Sequence, residues 1–386
     1  MSQQAHDFET QLIHAGEPRP GILGSVAMPI FQTSTFEDPH EHDYNAIRYT
    51  RLSNNPNQLA LHDKLAALAG AEAALVSASG MATISNLLLS LLSPGDHLLM
   101  QNCVYGGTHT LITHELARFG ITHQFIDAGD PASWPQPIPP KTRMIYVESM
   151  SNPLLEIPDF EAVVAYARKH GLLSVIDNTF ASPYNFQPIP LGFDLEVHSA
   201  TKYLNGHSDV IAGACMGSAR LIETLLHKQN HFGGSLDPHA AFLLLRGLKT
   251  LAVRLTHQNA TALEVAGYLD GHPALASVNY PGLEHHPRHR MAARHFRGFG
   301  GIVSFELKAG SDAARRLIDL LDLILFAPSL GGTESLIVKP ATVVQSGLDA
   351  AERNAAGVGE GLLRFSTGLE SSADLIADLK QALEKI

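Results

Sequence analysis

Between residues 73 and 217 the chain alternates short apolar or β-branched runs with longer amphipathic stretches, the pattern of a mostly parallel sheet covered by helices. The apolar runs predict strands over Ala73–Ser77, His97–Gln101, His123–Asp127, Arg143–Glu148, Leu172–Asp177, Leu195–His198 and Ile211–Met216. A helix is predicted over 81–92 and another over 159–170. In the second, Phe160, Val163, Val164 and Ala167 share a face, Asp159 is the candidate N-cap and Gly171 the stop. Helical periodicity also covers 243–269, after which residues 272–282 open a second α/β unit that closes with a helix over 372–386. The proline-dense run 130–140 reads as a surface connection. The first 50 or so residues have many turn formers and few helical periods, so they gain order only by packing on something, a neighbouring subunit being the natural candidate.

Composition narrows this picture. A chain of 386 residues with 45% hydrophobic content accommodates two domains, or one large core with a cap. A formal net charge of -11 with no basic run speaks against a nucleic-acid partner. The most apolar window, around Leu87–Leu92, is broken by Ser90, Ser93, Pro94, Gly95 and Asp96 before the roughly 18 residues of a membrane span accumulate. The start lacks the basic and apolar segments of a secretory signal, and Cys103 and Cys215 have neither disulfide-framework nor zinc-ribbon spacing, so a cytoplasmic location is expected. The 21 histidines include His285, His286, His289 and His295, but no acidic or cysteine partner accompanies them at ligand spacing, and no metal is expected.

Candidate chemistry concentrates in Asp194-Leu-Glu-Val-His-Ser-Ala-Thr-Lys-Tyr-Leu-Asn-Gly-His-Ser208. One lysine, Lys202, stands between small hydroxyl residues and a glycine turn, as an amine that must bond a cofactor aldehyde requires. Ser199 and Thr201 are placed to hold that cofactor's phosphate. The run resembles the lysine signature of the Cys/Met-metabolism family of pyridoxal phosphate (PLP) enzymes, which includes cystathionine synthases and lyases. The similarity extends from Thr10-Gln-Leu-Ile-His-Ala-Gly16 to the final helix. It implies PLP-dependent transferase fold type I (aspartate-aminotransferase-like). A mostly parallel seven-stranded sheet in the large domain would be joined by a smaller C-terminal α/β domain. The expected division is an extended arm over 1–55 contacting the neighbouring subunit, a PLP-binding domain over 56–248 and a C-terminal domain over 249–386.

Other motifs fit this frame. Ser77-Ala-Ser-Gly80-Met81 follows a strand and opens a helix, where backbone N–H groups and the helix dipole favour a phosphate. The resemblance implies that Gly80 and Met81 supply those groups. Asp177 ends a strand, where open α/β sheets place ligand groups, and its carboxylate suits a pyridine nitrogen, although capping of the following turn through Asn178 and Thr179 is the alternative role. The resemblance further implies that the Tyr105 ring stacks on the cofactor. It also implies that Tyr49 and Arg51 reach the phosphate of a neighbouring subunit, so that a homotetramer built as a dimer of dimers shares its active sites. Arg364 would bind the α-carboxylate of a small amino-acid substrate, with Ser329 and Asn152 beside it.

The implied reaction starts when the Lys202 amine, displaced by the substrate amine, removes the α-proton, with Tyr49 or Tyr105 assisting proton traffic. Chemistry at the γ-carbon, of cystathionine γ-synthase or γ-lyase type, is the first expectation; a cystathionine β-lyase or another sulfur amino-acid lyase such as methionine γ-lyase is the alternative. Two positions depart from the pattern the resemblance implies: Pro328 stands where many bacterial γ-synthases and the animal γ-lyases carry a glutamate, and Gly107 where methionine γ-lyases typically have a cysteine. The loop Arg51-Leu-Ser-Asn-Asn-Pro56-Asn57 also carries its proline one residue late. A non-catalytic binding protein would be expected to have lost one of Lys202, Asp177, Tyr105 or Arg364, and all four are present.

Overall fold

The computed structural model describes residues 6–37, 47–343 and 357–386. The seven expected strands are present with limits shifted by two residues at most: β1 (Ala73–Ser77), β2 (His97–Gln101), β3 (Thr122–Ile126), β4 (Thr142–Glu148), β5 (Leu173–Asp177), β6 (Leu195–Ser199) and β7 (Gly213–Gly217). They form one sheet in the order β1-β7-β6-β5-β4-β2-β3. β2 runs parallel to β3 and β4, and β5 parallel to β6, whereas β7 is antiparallel to both of its neighbours. The apolar run Met144–Val147 is fully buried, as a parallel strand covered on both faces requires. A second sheet has the order β10-β11-β12-β9-β8, built from β8 (Leu275–Asn279), β9 (Ile302–Leu307), β10 (Leu325–Phe326), β11 (Leu336–Val338) and β12 (Leu362–Ser366). The fold is therefore α/β, with a mostly parallel seven-stranded sheet and a smaller sheet domain.

The chain divides into two compact units, Met1–Pro94 with Leu173–Ala252, and Gly95–Leu172 with Val253–Ile386. In the first, the expected helical stretch 243–269 begins as Pro238–Leu248 and breaks before a second helix, Leu251–Leu269, that runs on past the unit. Gly247 lies against Asn205: a β-carbon there would stand 2.2 Å from the Asn205 carbonyl oxygen. In the second, the helix over Phe160–His170 is capped by Asp159, whose carboxylate accepts from Ala162 N–H, and is stopped by Gly171 in the left-handed conformation. Val303, Phe305, Leu363 and Phe365 pack with the helices Gly310–Leu320 and Ser372–Leu383. Among the described residues no helix is long and apolar enough to cross a membrane, and no group of three or more His, Cys, Asp and Glu is arranged to hold a metal.

The N-terminal segment corrects one expectation, because it contains a helix, Phe8–His14. At seven residues it is too short to register as a period, and its order comes from packing. Phe8 and Leu12 are buried, and the fully buried Lys64 donates from Nζ to the carbonyls of Leu12 (2.8 Å) and Ile13 (3.4 Å) at the helix end. Lys64 also lies 3.7 Å from Glu17, which pairs with Lys249 at 2.9 Å. Burial, aided by the Lys249 charge and opposed by Glu17, lowers the Lys64 amine from 10.5 to about 8. The unfolded chain therefore holds this proton over a window in which the folded chain has released it, so stability from this site rises with pH between about 8 and 10.5. Urea denaturation compared across that window should show an upward slope of about 1–3 kcal/mol in the wild type that Lys64→Met lacks; equal slopes would contradict this.

Candidate active site

In the first unit, the N-terminus of one helix meets the loop that carries the lysine. β1 ends at Ser77, and Ser79 caps the helix Gly80–Leu91 by accepting from Ala82 N–H at 3.0 Å. The first N–H groups of that helix have no partner within it. Gly80 packs so closely on the end of β6 that a β-carbon would stand 2.9 Å from both Cα and Cβ of Ser199. Gly213 on β7 permits the same approach from below, since its β-carbon would lie 2.2 Å from the Ser79 carbonyl oxygen. The two predicted motifs, 77–81 and 199–202, are thus brought side by side.

Asp177 ends β5 and is buried. Its Oδ1 accepts from Thr179 N–H (3.0 Å) and from the Thr179 hydroxyl (2.5 Å), and that hydroxyl accepts in turn from Ser199 N–H at 2.8 Å. The turn-capping role is therefore real, and it links the Asp177 carboxylate to the start of the lysine loop. Below these groups Glu196 and His198, both buried, share one face of β6, with His198 Nε2 2.7 Å from Glu196 Oε1. The same oxygen accepts from Asn178 Nδ2 at 2.8 Å. Removing one member of such a buried hydrogen-bonded network leaves a buried polar partner unsatisfied, at a cost of about 1–3 kcal/mol.

Lys202 N–H donates to Ser199 O at 3.1 Å, and its carbonyl accepts from Gly206 N–H at 2.8 Å, so the lysine sits in a closed turn. Thr201 closes the base of that turn: its hydroxyl accepts from Ala212 N–H (3.0 Å) and donates to Ala212 O (3.2 Å). From the arm, Arg51 Nη1 donates to Asn230 O at 2.5 Å, and its guanidinium lies 5.5 Å from the centre of the Tyr49 ring. Neither Glu196 nor His198 was expected, and Thr179 was expected only as part of the turn that Asp177 caps. The alternation of Glu196 and His198 within an otherwise apolar strand was the available signal for the pair.

The second unit holds the remaining predicted residues. Arg364 lies on β12 between the core residues Leu363 and Phe365, so alternation turns it to the opposite face, opposite Ser304 of β9. Its Nη1 donates to Asn152 Oδ1 at 3.0 Å and its Nη2 to Ser329 O at 2.9 Å, while Ser304 Oγ donates to the neighbouring Pro153 O. Arg364, Asn152 and Ser329 thus form one cluster, Ser329 contributing its main chain. Ser329 has φ 120, a conformation that costs a non-glycine residue about 1–3 kcal/mol. Tyr105 follows β2 at the start of a short helix with its side chain 41% exposed, and its N–H donates to Glu148 Oε1 at 2.7 Å. Burial pushes the nearby Cys103 thiol up to about 12, which removes it as a nucleophile.

A type of α/β enzyme is defined by a glycine-opened helix N-terminus against a lysine turn, with a carboxylate held at the end of the adjoining strand. The chain belongs to the family of Cys/Met metabolism PLP-dependent enzymes, whose model it matches over residues 9–384. It is 42% identical over 387 residues to cystathionine beta-lyase MetC of Bacillus subtilis, covering 100% of this chain and 98% of that one. It is 41% identical over 397 residues to an L-methionine gamma-lyase of Fusobacterium nucleatum subsp. polymorphum, covering both chains completely. Among solved structures, cystathionine gamma-lyase from Lactobacillus plantarum, complexed with L-serine, superposes with a TM-score of 0.94 at 40% identity over 99% of each chain. Pyridoxal phosphate is the family's cofactor, and the residues present fit it: the absent β-carbon at Gly80 lets the helix N-terminus lie against Ser199, at the start of the turn that carries Lys202.

Substitutions at two positions check this geometry. Thr179→Val removes the hydroxyl that joins Asp177 to Ser199 and should weaken cofactor retention about ten-fold or more, whereas Thr179→Ser should keep it near wild type. Dialysis followed by absorbance of the remaining cofactor reads both; equal retention by the two variants would refute the assignment. Gly80→Ala should show a similar or larger loss, because the added methyl meets Cα and Cβ of Ser199, which cannot yield without the backbone.

Proposed function

We propose that this protein is a PLP-dependent lyase that breaks the carbon–sulfur bond of a thioether amino acid such as cystathionine, with cleavage at the γ-carbon as its principal reaction. The observation that carries the amino-acid part is the buried guanidinium of Arg364, held by two neutral acceptors, Asn152 Oδ1 and Ser329 O, in a geometry that suits bidentate binding of an α-carboxylate. Relatives named methionine and cystathionine gamma-lyase support the γ-carbon; cystathionine beta-lyase MetC, at 42% identity, favours β-cleavage as the second reading.

In this proposal Lys202 bonds the cofactor aldehyde, Asp177 faces the ring nitrogen, and Gly80 N–H, Met81 N–H, Ser199 and Thr201 hold the phosphate. To donate there, Thr201 gives up its bond to Ala212 O, at 3.2 Å the weaker of its two. Tyr105 is assigned to the cofactor ring. Tyr49 and Arg51 are assigned to the phosphate of a neighbouring subunit in a homotetramer, in keeping with an arm that leaves Leu23 and Val26 fully exposed in the single chain. When bound, pyridoxal phosphate supplies an electron sink for the pair released as the substrate C–H bond breaks. Lys202 Nζ receives the α-proton and returns it, Tyr105 and Tyr49 stand by as proton carriers, and Arg364 keeps the substrate from rotating during the transfer.

Purified protein loaded with pyridoxal phosphate should show a cofactor absorbance band that Lys202→Ala loses, and should turn over L-cystathionine. Release of 2-oxobutyrate and cysteine establishes γ-cleavage, and release of pyruvate and homocysteine establishes β-cleavage. Absence of the band, or a band retained by Lys202→Ala, would overturn the assignment of the lysine.

A further inference from the structure

We propose that Glu148 is a positioning residue that sets both the Tyr105 loop and, through Asn152, the Arg364 guanidinium. The proposal rests on the roles assigned to Tyr105 and Arg364 above. Glu148 is the last residue of β4 and is 4% exposed. Its Oε1 accepts from Tyr105 N–H at 2.7 Å and its Oε2 from Asn152 N–H at 3.1 Å. Its own N–H donates to the buried Gln101 Oε1 at 2.9 Å, at the end of the parallel neighbour β2. Asn152 then passes the constraint on, since its Oδ1 accepts from Arg364 Nη1 at 3.0 Å while Arg364 Nη2 donates to Ser329 O at 2.9 Å. A continuous hydrogen-bonded path therefore runs from the main chain of Tyr105 to the main chain of Ser329 within one compact unit.

The chemistry of the link explains why a glutamate stands there. Two backbone N–H donors approach two different oxygens, and only a carboxylate offers an acceptor at both ends. Burying a carboxylate is costly unless it is well hydrogen-bonded, so a turn that merely needed closing would be served at lower cost by a serine or an amide. Bonds to an ionised acceptor are shorter and roughly twice as strong as neutral ones, which holds the two loops in fixed relation. A glutamine at this position keeps the volume but turns one end into a donor facing an N–H, so one of the two bonds is lost in either amide orientation.

Glu148→Gln and wild type, both loaded with pyridoxal phosphate and compared at equal cofactor content, separate positioning from mere stability. Positioning predicts a KM for L-cystathionine raised about ten-fold with a smaller change in kcat, together with an altered induced circular dichroism of the bound cofactor. A structural role alone lowers the melting temperature and the loaded fraction while leaving KM and the dichroism per bound cofactor unchanged, and that result would overturn the proposal. Should Glu148→Gln not accumulate as folded protein, Glu148→Asp, which keeps the charge but loses one methylene of reach, is judged by the same two readouts. The wild-type band and its loss in Lys202→Ala test the site itself, so a failure there is distinguishable from a failure of Glu148.

Discussion

The close approach of Gly80 to Ser199 governs the end of the first unit to which the cofactor is assigned. A helix N-terminus carries partial positive charge worth about 0.3–1 kcal/mol toward an anion at an exposed site, and it falls away within one turn, so the lysine loop must lie almost against the helix to share it. A β-carbon at position 80 would stand 2.9 Å from Ser199, and one at position 213 would meet the Ser79 carbonyl at 2.2 Å. Reversal of β7 between β1 and β6 is what makes the second contact possible, because it brings the start of β7 beside the ends of its neighbours. Sheet topology and two missing side-chain atoms together permit the close packing.

Around that contact, several buried polar side chains are tied to one another. Asp177 is fixed by Thr179, and Thr179 by Ser199 N–H, so the end of β5 and the end of β6 move as one. Glu196 and His198 repeat the arrangement one layer down, with Asn178 as the cross-link. In the role proposed for Asp177, its orientation is decided before a ligand arrives, since each rotamer left free is paid for on binding. Thr179 supplies that orientation with one hydroxyl.

The strands were legible in the sequence because each is a compact apolar run bounded by turn formers, and the helix over 160–170 because its cap, period and glycine stop agree. The lysine turn, Asp177 and the Gly80 turn were legible through their motif. Glu148 was not, since what distinguishes it is a partner far away in sequence: it meets Tyr105 from the end of a different strand, and the tie from Thr179 to Ser199 likewise spans two strands. The short helix over Phe8–His14 was hidden for a related reason, its last carbonyls being held by a lysine on another helix. Local pattern reports what a segment prefers, and tertiary contact supplies what these residues do.

The same distinction bears on specificity. Substitutions such as Pro328 for glutamate and Gly107 for cysteine invite a reading of substrate choice from side chains. At Ser329, however, it is the carbonyl that accepts from Arg364, in a backbone held at φ 120. That conformation is kept by the loop that follows, where Gly331 N–H donates to Ser366 Oγ at 3.1 Å and Gly332 O accepts from Gln258 Nε2 at 2.8 Å. Pro328, with its restricted φ, adds stiffness immediately upstream. The arginine is thus oriented by main chain on one side and by the Asn152 side chain on the other.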